Sequence, residues 1–497
     1  MHEQRVDVLI VGAGISGISA GYHLQTNCPE RSYVILETRG CIGGTWDLFR
    51  YPGIRSDSDM YTLGYSFRPW TSPKAIADGP SILDYVRDTA REFGIDQNVR
   101  FNHRVVGAAW SSADSTWTVD VDRGSTAEPV RYRCGFVFVC GGYYDYAAGY
   151  TPEFPGIDSF KGRIVHPQQW TDDVDYAGKR VVVIGSGATA VTLVPELAKQ
   201  AAHVTMLQRS PTYIVAAPTG DRLADALRKN VSPGVAYGVT RWKNVLFGML
   251  FFWFCRRYPQ RAKALIVNGV RRALGDDYPV ERDFSPTYGP WDQRMCLVPE
   301  GDLFASIRAK RASVVTDEIE SFTESGLRLR SGATLDADLI VTATGLNLKV
   351  LSGLQLSVDG ERVDLAQTMA YKGMMFSGVP NLAQSIGYTN ASWTLKCDLT
   401  SKYVCRLLNH MARHGYTQCC PKQDDPAMER TPMLDFSSGY VRRSIHLFPK
   451  QGPRAPWRLY QNYVLDILAL GHGAIEDAAM SFSTPGQSVE QQPQAAN

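Results

Sequence analysis

The sequence lacks any C-x-x-C spacing and any dense cysteine framework. Its ten cysteines favour reduced thiols in the cytoplasm, and we predict no metal site. No apolar run reaches the roughly 18–20 residues that a membrane-spanning helix requires. The first residues lead straight into an apolar segment, so we expect no secretion signal. The net charge of +2 is too balanced to indicate nucleic acid as a partner.

The first of two glycine-rich turns lies near the start of the chain. Residues 6–11 form an apolar run of strand length, and Gly12, Gly14 and Gly17 follow in a G-x-G-x-x-G pattern. Such a turn exposes backbone N–H groups on which a dinucleotide pyrophosphate can sit. Glu37 lies twenty residues after Gly17, where a carboxylate accepts ribose hydroxyls and repels a 2′-phosphate. The pattern predicts a site for FAD or NAD.

The second turn also follows an apolar strand pattern. Gly185 and Gly187 begin a G-x-G-x-x-A pattern, which includes Thr189 and leads into a helical pattern. The next predicted strand is followed by Arg209 and Ser210 rather than by an acid. A guanidinium beside a hydroxyl accommodates a 2′-phosphate. We therefore predict FAD at the first turn and NADPH at the second.

A chain of 497 residues is long enough for two or three domains. The two turns predict an α/β fold with two Rossmann-like dinucleotide-binding domains, for FAD and NADPH, and a helical insertion in the NADPH domain. The predicted segments are the FAD domain at 1–146 and 347–482, the NADPH domain at 147–214 and 291–346, the insertion at 215–290, and a disordered tail at 483–497.

Two local patterns belong to the predicted FAD domain. Residues 110–121 and 131–133 predict a small β meander ahead of a buried strand at 136–140. Residues 388–393 predict a loop ahead of a helix at about 402–412.

The insertion contains the most apolar stretch of the chain, at residues 245–255, and basic residues flank it within 241–263. This stretch is too short to span a bilayer. It predicts either a buried helix or a helix on a membrane surface, with the basic flanks on the headgroups. We expect a cytoplasmic protein, with peripheral membrane contact as the alternative.

Between the two turns, Phe160, Gly162, His166 and Trp170 are spaced F-x-G-x-x-x-H-x-x-x-W. Together with GGTWDLFRYPGIRSD at residues 43–57, this pattern resembles the class B flavoprotein monooxygenases. The tryptophan and the second stretch resemble the Baeyer–Villiger branch of that family. Longer stretches, such as VVVIGSGATAVTLVP and GYTNASWTLK, are similar to its ethionamide-activating type. The resemblance covers nearly the whole chain.

The resemblance implies an enzyme that binds FAD and NADPH and forms a C4a-peroxyflavin with O₂. Such an enzyme inserts one oxygen atom beside the carbonyl of a ketone and gives an ester or lactone. The resemblance also implies that Arg294 stabilises the peroxide anion and orients the nicotinamide, and that Asp57 pairs with Arg294. The resemblance also implies that Gly44, Thr45 and Trp46 contact the cofactor. It places Phe160, Gly162, His166 and Trp170 at a hinge of the NADPH domain. It further implies that Asn390, Ser392 and Trp393 face the flavin and substrate.

The chain departs from the family pattern at two positions. Thr171 stands where proline or aspartate is usual, and Gln293 stands where many relatives carry a lysine beside the arginine. These departures bear on NADPH affinity more than on the reaction type.

Several functions remain open from the sequence. The aromatic, apolar insertion favours lipophilic substrates, such as long-chain or bulky ketones. A second hypothesis is a monooxygenase that acts mainly on nitrogen or sulfur, including sulfides and thioamides, and one enzyme can do both. A third is a non-catalytic, membrane-associated flavoprotein, which has no need of Asp57 and Arg294 together. A disulfide reductase is disfavoured because no C-x₄-C spacing follows the first turn.

Overall fold

The computed structural model describes residues 2–124, 129–434 and 436–484. Its α-helices are α1 Ile15–Asn27, α2 Thr45–Leu48, α3 Met60–Leu63, α4 Gly79–Glu92, α5 Ala188–Leu197, α6 Arg222–Asn230, α7 Pro233–Arg257, α8 Pro259–Leu274, α9 Val280–Phe284, α10 Asp302–Arg308, α11 Trp393–His414, α12 Gly439–Ser444 and α13 Tyr463–Asp466. Its strands are β1 His2–Val11, β2 Tyr33–Leu36, β3 Val99–Arg100, β4 Arg104–Ser111, β5 Thr116–Asp122, β6 Val130–Val139, β7 Tyr144–Gly149, β8 Arg163–Val165, β9 Arg180–Ile184, β10 His203–Gln208, β11 Ile214–Ala217, β12 Cys296–Pro299, β13 Ala312–Thr316, β14 Ile319–Thr323, β15 Gly326–Leu329, β16 Thr334–Asp336, β17 Leu339–Thr342, β18 Leu346–Leu348, β19 Gln355–Val358, β20 Glu361–Arg362, β21 Ala370–Tyr371, β22 Met375–Phe376, β23 Leu382–Gln384, β24 Gln418–Pro421, β25 Thr431–Pro432, β26 Lys450–Gln451 and β27 Met480–Ser483.

The larger sheet carries the first glycine turn. Its strands are ordered β20-β19-β4-β5-β6-β1-β2-β3, and β23 pairs with β6. The neighbours β3, β2, β1 and β6 run parallel, as does β23. Val8, Leu9 and Ile10 of β1 are fully buried, as expected for a strand that is covered on both faces. The turn at Gly12 therefore lies at the carboxyl edge of parallel strands, where ligands bind in such folds.

One strand of this sheet differs from the prediction. The predicted meander and the strand predicted at 136–140 share β6, which pairs with β1 along its whole length. The first half of β6 also pairs antiparallel with β5. The prediction of two separate strands was wrong because the residue pattern changes within one strand: its first half has alternating burial, and its second half is buried on both faces.

The smaller sheet carries the second turn. Its strands are ordered β13-β10-β9-β17-β8, and all neighbours are parallel. β9 leads through Gly185 and Gly187 into α5. The two sheets together confirm the predicted α/β fold with two Rossmann-like units.

The chain passes between the two sheets twice, and the two crossings pair with each other. β7 and β18 form an antiparallel ribbon, with Gly149 opposite Leu346 and Tyr144 opposite Leu348. The domain borders predicted at residues 146 and 346 fall within this ribbon. One two-stranded connection therefore joins the sheets, rather than two independent linkers.

Helices α6, α7, α8 and α9 lie within the predicted insertion at 215–290. β11, however, is a strand that extends to Ala217, inside the range predicted to be helical. It pairs parallel with β12, so the chain enters and leaves the insertion through neighbouring strands. Four residues are too few to show strand periodicity in a sequence.

The apolar stretch at 245–255 forms the last part of α7, which packs on α3, α6 and α8. Val245 and Cys255 are buried, whereas Leu246, Leu250 and Trp253 are 53%, 62% and 54% exposed. The stretch is therefore not a wholly buried helix. Within the described ranges, the chain forms no helix that is both long and apolar enough to cross a membrane.

A tail was predicted at residues 483–497. Of these, residues 485–497 lie outside the described residues. Ser483 is the last residue of β27 and pairs with Gln418 of β24. Sheet pairing thus extends one residue into the range predicted as tail.

Candidate functional site

A cavity of about 760 Å³ lies between the two sheets and is bordered by both predicted cofactor regions. Ligand pockets of this kind typically measure about 300–1,000 Å³. Nine of the predicted site residues line it, namely Thr45, Trp46, Asp57, Gly185, Gly187, Thr189, Arg209, Ser210 and Arg294. The structure therefore brings together residues that are far apart in the sequence.

The second glycine turn forms one wall of this cavity. Gly185 has a φ of +133°, and a side chain there would overlap the carbonyl oxygen of Ala343. Gly187 occupies the N-cap position of α5 and offers no side-chain cap, so the first N–H groups of α5 are available to a ligand. Gly187 and Thr189 line the cavity. A helix N-terminus in this setting suits the pyrophosphate of a dinucleotide.

Arg209 and Ser210 border the same wall. They follow β10 directly, and both are exposed. The hydroxyl of Ser186, within the glycine turn, donates a hydrogen bond to the carbonyl oxygen of Ser210 at 3.0 Å. This bond fixes the distance between the turn and the predicted 2′-phosphate position.

The first glycine turn lies behind the cavity rather than in its lining. Gly12 has a φ of +97°, and a Cβ there would lie 2.9 Å from the Cα of Gly141. Gly17 packs so closely on Gly12 that a side chain would overlap its carbonyl oxygen. A Cβ on Gly44 would lie 3.0 Å from the Cα of Gly14. These glycines make a bare backbone surface that a ligand can approach closely.

Glu37 is buried at the end of β2, beside the first turn. Its Oε2 accepts a hydrogen bond from the N–H of Ala13 at 2.7 Å, and its Oε1 accepts one from the N–H of Arg39 at 2.9 Å. Burial raises the pKa of this carboxyl above its usual value. Each carboxylate oxygen has further lone pairs for ribose hydroxyls, so the position fits the predicted role.

Thr45 and Trp46 begin the short helix α2 at the cavity wall. The hydroxyl of Thr45 lies 3.1 Å from that of Tyr146, which belongs to the ribbon between the sheets. This wall of the cavity is thus tied to the ribbon between the sheets.

Arg294 and Asp57 form a bidentate ion pair in the cavity. Arg294 Nε lies 3.1 Å from Asp57 Oδ2, and its terminal nitrogen donates to Asp57 Oδ1 at 3.3 Å. The two side chains are 36% and 30% exposed, towards the cavity that they line. The Asp57 carboxylate holds the pKa of Arg294 well above its usual value. The site therefore contains a permanent, oriented cation.

Asp57 is held by residues that pack on the smaller sheet. Phe49 and Tyr51 belong to the core of that unit. Gly53 has a φ of +76°, and a Cβ there would lie 3.0 Å from the Cβ of Glu196. Arg55 pairs with Asp302 of α10 at 2.5 Å. The stretch at 43–57 therefore begins at the first turn and ends docked on the second unit.

The four fingerprint residues lie outside the cavity lining of the described chain. Phe160 is buried beside Phe322, and a Cβ on Gly162 would lie 2.6 Å from the Asp338 carbonyl oxygen. Trp170 is buried in the core of the smaller unit.

His166 contacts the ribbon between the sheets. Its Nδ1 accepts the N–H of Gln168 at 3.1 Å, so its Nε2 carries the proton and donates to the Gly345 carbonyl oxygen at 3.1 Å. The ring also lies so close to Gly149 that a side chain there would overlap it. Burial lowers the pKa of His166.

The remaining predicted contacts lie elsewhere. Trp393 Nε1 donates to the hydroxyl of Ser16 at 2.8 Å, at the start of α1. Ser392 contacts the Thr62 hydroxyl at 2.6 Å, and the Asn390 amide donates to the Gln461 carbonyl oxygen at 3.0 Å. None of the three lines the cavity, and only Trp393 contacts the start of α1, directly after the first turn.

The two departures from the family pattern differ in position. Gln293 lines the cavity beside Arg294. Thr171 is exposed and hydrogen-bonded to Asp173. Only Gln293 is placed to contact a ligand there.

Several lining residues were not predicted from the sequence, among them Tyr144, Ser438, Tyr440 and Arg443. The last three belong to or precede α12, which crosses over the cavity. Ser437 anchors this segment, because its N–H and hydroxyl both donate to the Asp292 carbonyl oxygen at 3.0 and 2.9 Å. The Arg443 guanidinium lies 3.4 Å from the centre of the Tyr150 ring. No motif spacing marks these residues in the sequence.

Family models match two parts of the chain. A model described as FMO-like, flavin-binding monooxygenase-like, matches residues 70–222. A model of a NAD(P)-binding Rossmann-like domain matches residues 10–78.

Individual proteins match nearly the whole chain. The FAD-containing monooxygenase EthA of Mycobacterium tuberculosis is 53% identical over 481 residues, which cover 97% of this chain and 98% of EthA. An oxidized steroid monooxygenase bound to NADP is similar in structure, with a TM-score of 0.76, 24% identity and coverage of 96% and 99%. A cyclohexanone-bound cyclohexanone monooxygenase has a TM-score of 0.73, 19% identity and coverage of 97% and 100%.

Proposed function

Because the chain belongs to the family of FAD-containing monooxygenases, we propose that it is an NADPH-dependent Baeyer–Villiger monooxygenase acting on lipophilic ketones. The proposed reaction inserts one atom of O₂ beside the carbonyl and gives an ester or lactone. NADPH supplies two electrons, and the other oxygen atom leaves as water. The observation that carries this proposal is the bidentate Arg294–Asp57 ion pair in a cavity that is lined by the second glycine turn and by Thr45 and Trp46.

The residues of the two turns fit the two cofactors. Gly12, Gly44 and Glu37 would hold FAD, with the glycine backbone at the pyrophosphate and Glu37 at the ribose. The N-terminus of α5 and Arg209 would hold NADPH, with Arg209 at the 2′-phosphate. When bound, FAD and NADPH supply electron transfer and the activation of O₂.

Arg294 stabilises negative charge on oxygen in the cavity. Its charge persists at any working pH, because Asp57 raises a pKa that is already high. One hydrogen bond and a second ion-pair contact with Asp57 orient the guanidinium, so its other donors point in a set direction. A preorganised cation of this kind stabilises a transition state without reorganising during the reaction.

His166 positions the second unit and does not transfer protons to a substrate. Both of its ring nitrogens are already bonded to backbone groups, and it lies outside the cavity lining. Its bond to Gly345 links the fingerprint segment to the ribbon, which supports a hinge role for Phe160, Gly162, His166 and Trp170.

Product analysis under NADPH tests the reaction class. The purified FAD-loaded protein is given a long-chain 2-ketone or an aryl sulfide of similar size, with NADPH and air. An ester formed from the ketone, with one NADPH consumed per ester, supports the proposal. Oxidation of the sulfide alone assigns the chain to heteroatom oxygenation, and hydrogen peroxide without either product contradicts both.

We also propose that α7 rests on an anionic membrane surface. Val235, Val239, Trp242, Leu246, Leu250 and Trp253 are each exposed and form one face of the helix, hereafter the α7 apolar face. Their spacing of three or four residues aligns them over about 27 Å. Arg256, Arg257 and Arg261 lie at one end of this face and are exposed. An apolar face with basic residues at its end is typical of interfacial helices.

Liposome flotation tests this contact. The wild-type protein is expected to float with vesicles that contain anionic phospholipid and to remain at the bottom with purely zwitterionic vesicles at high salt. Leu246→Glu with Leu250→Glu is expected to abolish flotation. Leu447→Glu changes a leucine that is 48% exposed elsewhere and serves as the matched control. Flotation that survives the double substitution overturns the proposal.

A further inference from the structure

We propose that His410, His414 and Glu476 form a binding site for one divalent transition-metal ion, with Zn²⁺ as the preferred ion. One ligand atom from each residue lies within 4.8 Å of the other two, and this is the one such group of three among the described residues. No metal site was predicted from the sequence, because the cysteines show no metal-binding spacing and the two histidines four positions apart on a helix were overlooked. The inference is independent of the flavin reaction.

The three side chains come from two elements. His410 and His414 are one turn apart at the C-terminal end of α11, so their rings project from the same face. Glu476 lies in the segment before β27. His410 Nε2 is 2.9 Å from Glu476 Oε1. Ligands around a tetrahedral zinc lie about 3.3 Å apart, given bonds of about 2.0–2.1 Å. Small rotations of the exposed side chains bring all three ligands to that spacing.

A hydrogen bond to the backbone leaves one ring nitrogen of His414 free to bind a metal. Its Nδ1 lies 3.0 Å from the carbonyl oxygen of His410, which can only accept. His414 therefore carries its proton on Nδ1 and leaves the Nε2 lone pair free. This is the backbone-carbonyl arrangement that orients histidine ligands in zinc proteins. At His410, the ion takes the place of the Nε2 proton, and the neutral ring then carries its proton on Nδ1.

The Glu476 segment is fixed on both sides of the carboxylate. Arg406 of α11 donates to the carbonyl oxygens of Leu470 and Gly473, at 2.6 and 2.7 Å. Asp477 accepts from the Tyr371 hydroxyl at 2.8 Å and pairs with Lys372 at 3.1 Å. The backbone of Glu476 is thus positioned without a metal, which reduces the entropy lost when the side chain binds one.

The donor set selects the ion. Two neutral imidazoles and one carboxylate suit Zn²⁺, Ni²⁺ or Cu²⁺, whereas Mg²⁺ and Ca²⁺ require mainly oxygen ligands. His410 is only 12% exposed on its side chain, whereas Glu476 is 57% exposed, so water can complete the coordination. The site lies about 25 Å along α11 from Trp393. An ion here links α11 to the segment before β27 and takes no part in oxygen transfer.

Calorimetric titration of the full-length, FAD-loaded protein with Zn²⁺ at about pH 7.5 tests the site, because metal binding requires deprotonated ligands. The expected result is one equivalent of Zn²⁺ bound with a micromolar Kd, a rise in Tm, and no comparable heat with Mg²⁺. His414→Gln and Glu476→Gln are each expected to weaken binding at least tenfold. His446→Gln removes an exposed histidine on another element and is expected to leave binding unchanged.

Cobalt substitution identifies the ligands directly. Co²⁺ at this site is expected to show visible bands of a nitrogen- and oxygen-bound ion, without the thiolate charge-transfer band that a cysteine ligand produces. A thiolate band, binding unchanged by both ligand substitutions, or no stoichiometric binding of Zn²⁺ overturns the proposal.

Discussion

Arg294 carries the permanent charge of the candidate site, and its removal gives the most direct test at the scale of a residue. Arg294→Ala is expected to lower the rate of NADPH-dependent product formation by about 10²–10³-fold, because one preorganised charge on the transition state is lost. Bound FAD per chain is expected to be unchanged, since Arg294 does not contact the first turn. Steady-state rates and the flavin absorbance of the purified protein measure both.

The matched control is Arg104→Ala. Arg104 is likewise paired with an aspartate, Asp122, at 2.5 Å, but its side chain is 60% exposed on the larger sheet. Its loss is expected to leave the rate unchanged. Equal rates for both variants would remove Arg294 from the mechanism.

Single residues also show which parts of the site a sequence can predict. Gly12 and Gly185 were predicted from the sequence because a glycine turn between strand and helix is a local pattern. Arg294 could be predicted only from the family resemblance, since nothing in its neighbourhood marks it. Tyr440 and Arg443 were missed because they reach the cavity from a part of the chain far from both turns.

At the scale of an element, the stretch at 43–57 depends on one backbone conformation. Gly53→Ala is expected to lower the free energy of unfolding by more than the backbone strain of about 1–2 kcal/mol, because its Cβ also presses on Glu196. Gly178 has a similar φ of +64°, and no atom lies within 4 Å of a Cβ placed there. Gly178→Ala therefore measures the backbone strain alone. Urea denaturation of both variants measures the difference.

The same two variants can also be compared by their rates of product formation. Gly53→Ala is expected to lower product formation, because the shifted stretch moves Asp57 away from Arg294, whereas Gly178→Ala keeps full activity. Equal losses of stability and activity in the two variants would show that the docking of this stretch on α5 is unimportant.

The elements also show where local patterns fail. α11 begins at Trp393, about nine residues before the predicted helix. Its first turns are buried almost all round and carry serine, threonine and lysine, so no amphipathic pattern appears in the sequence. β6 was divided in two for a related reason, because its neighbours change along its length. Tertiary packing decides such segments, and local propensity does not.

At the scale of the whole molecule, His166 joins the fingerprint segment to the crossing ribbon, and burial lowers its pKa. The unfolded chain therefore takes up a proton on His166 at a higher pH than the folded chain does. Stability from the neutral ring is present above about pH 6.5 and is lost as pH falls through the lower folded pKa. The wild type is expected to lose unfolding free energy in this interval, and His166→Gln is expected to lose less.

Urea denaturation at several pH values measures the slope of the unfolding free energy against pH. His446→Gln, at an exposed position, is expected to keep the wild-type slope. The same slope in wild type and His166→Gln would show that protonation at the crossing does not couple to folding.

The pairing of β23 with β6 has a consequence for synthesis of the protein. Residues 137–139 of β6 pair with residues 382–384 of β23, and both are fully or almost fully buried. At about 5–20 residues per second, the ribosome needs about 12–50 s to supply the intervening residues. The nascent sheet meanwhile exposes an apolar edge, which is a template for aggregation. We therefore expect the newly synthesised chain to be prone to aggregation until its C-terminal half emerges.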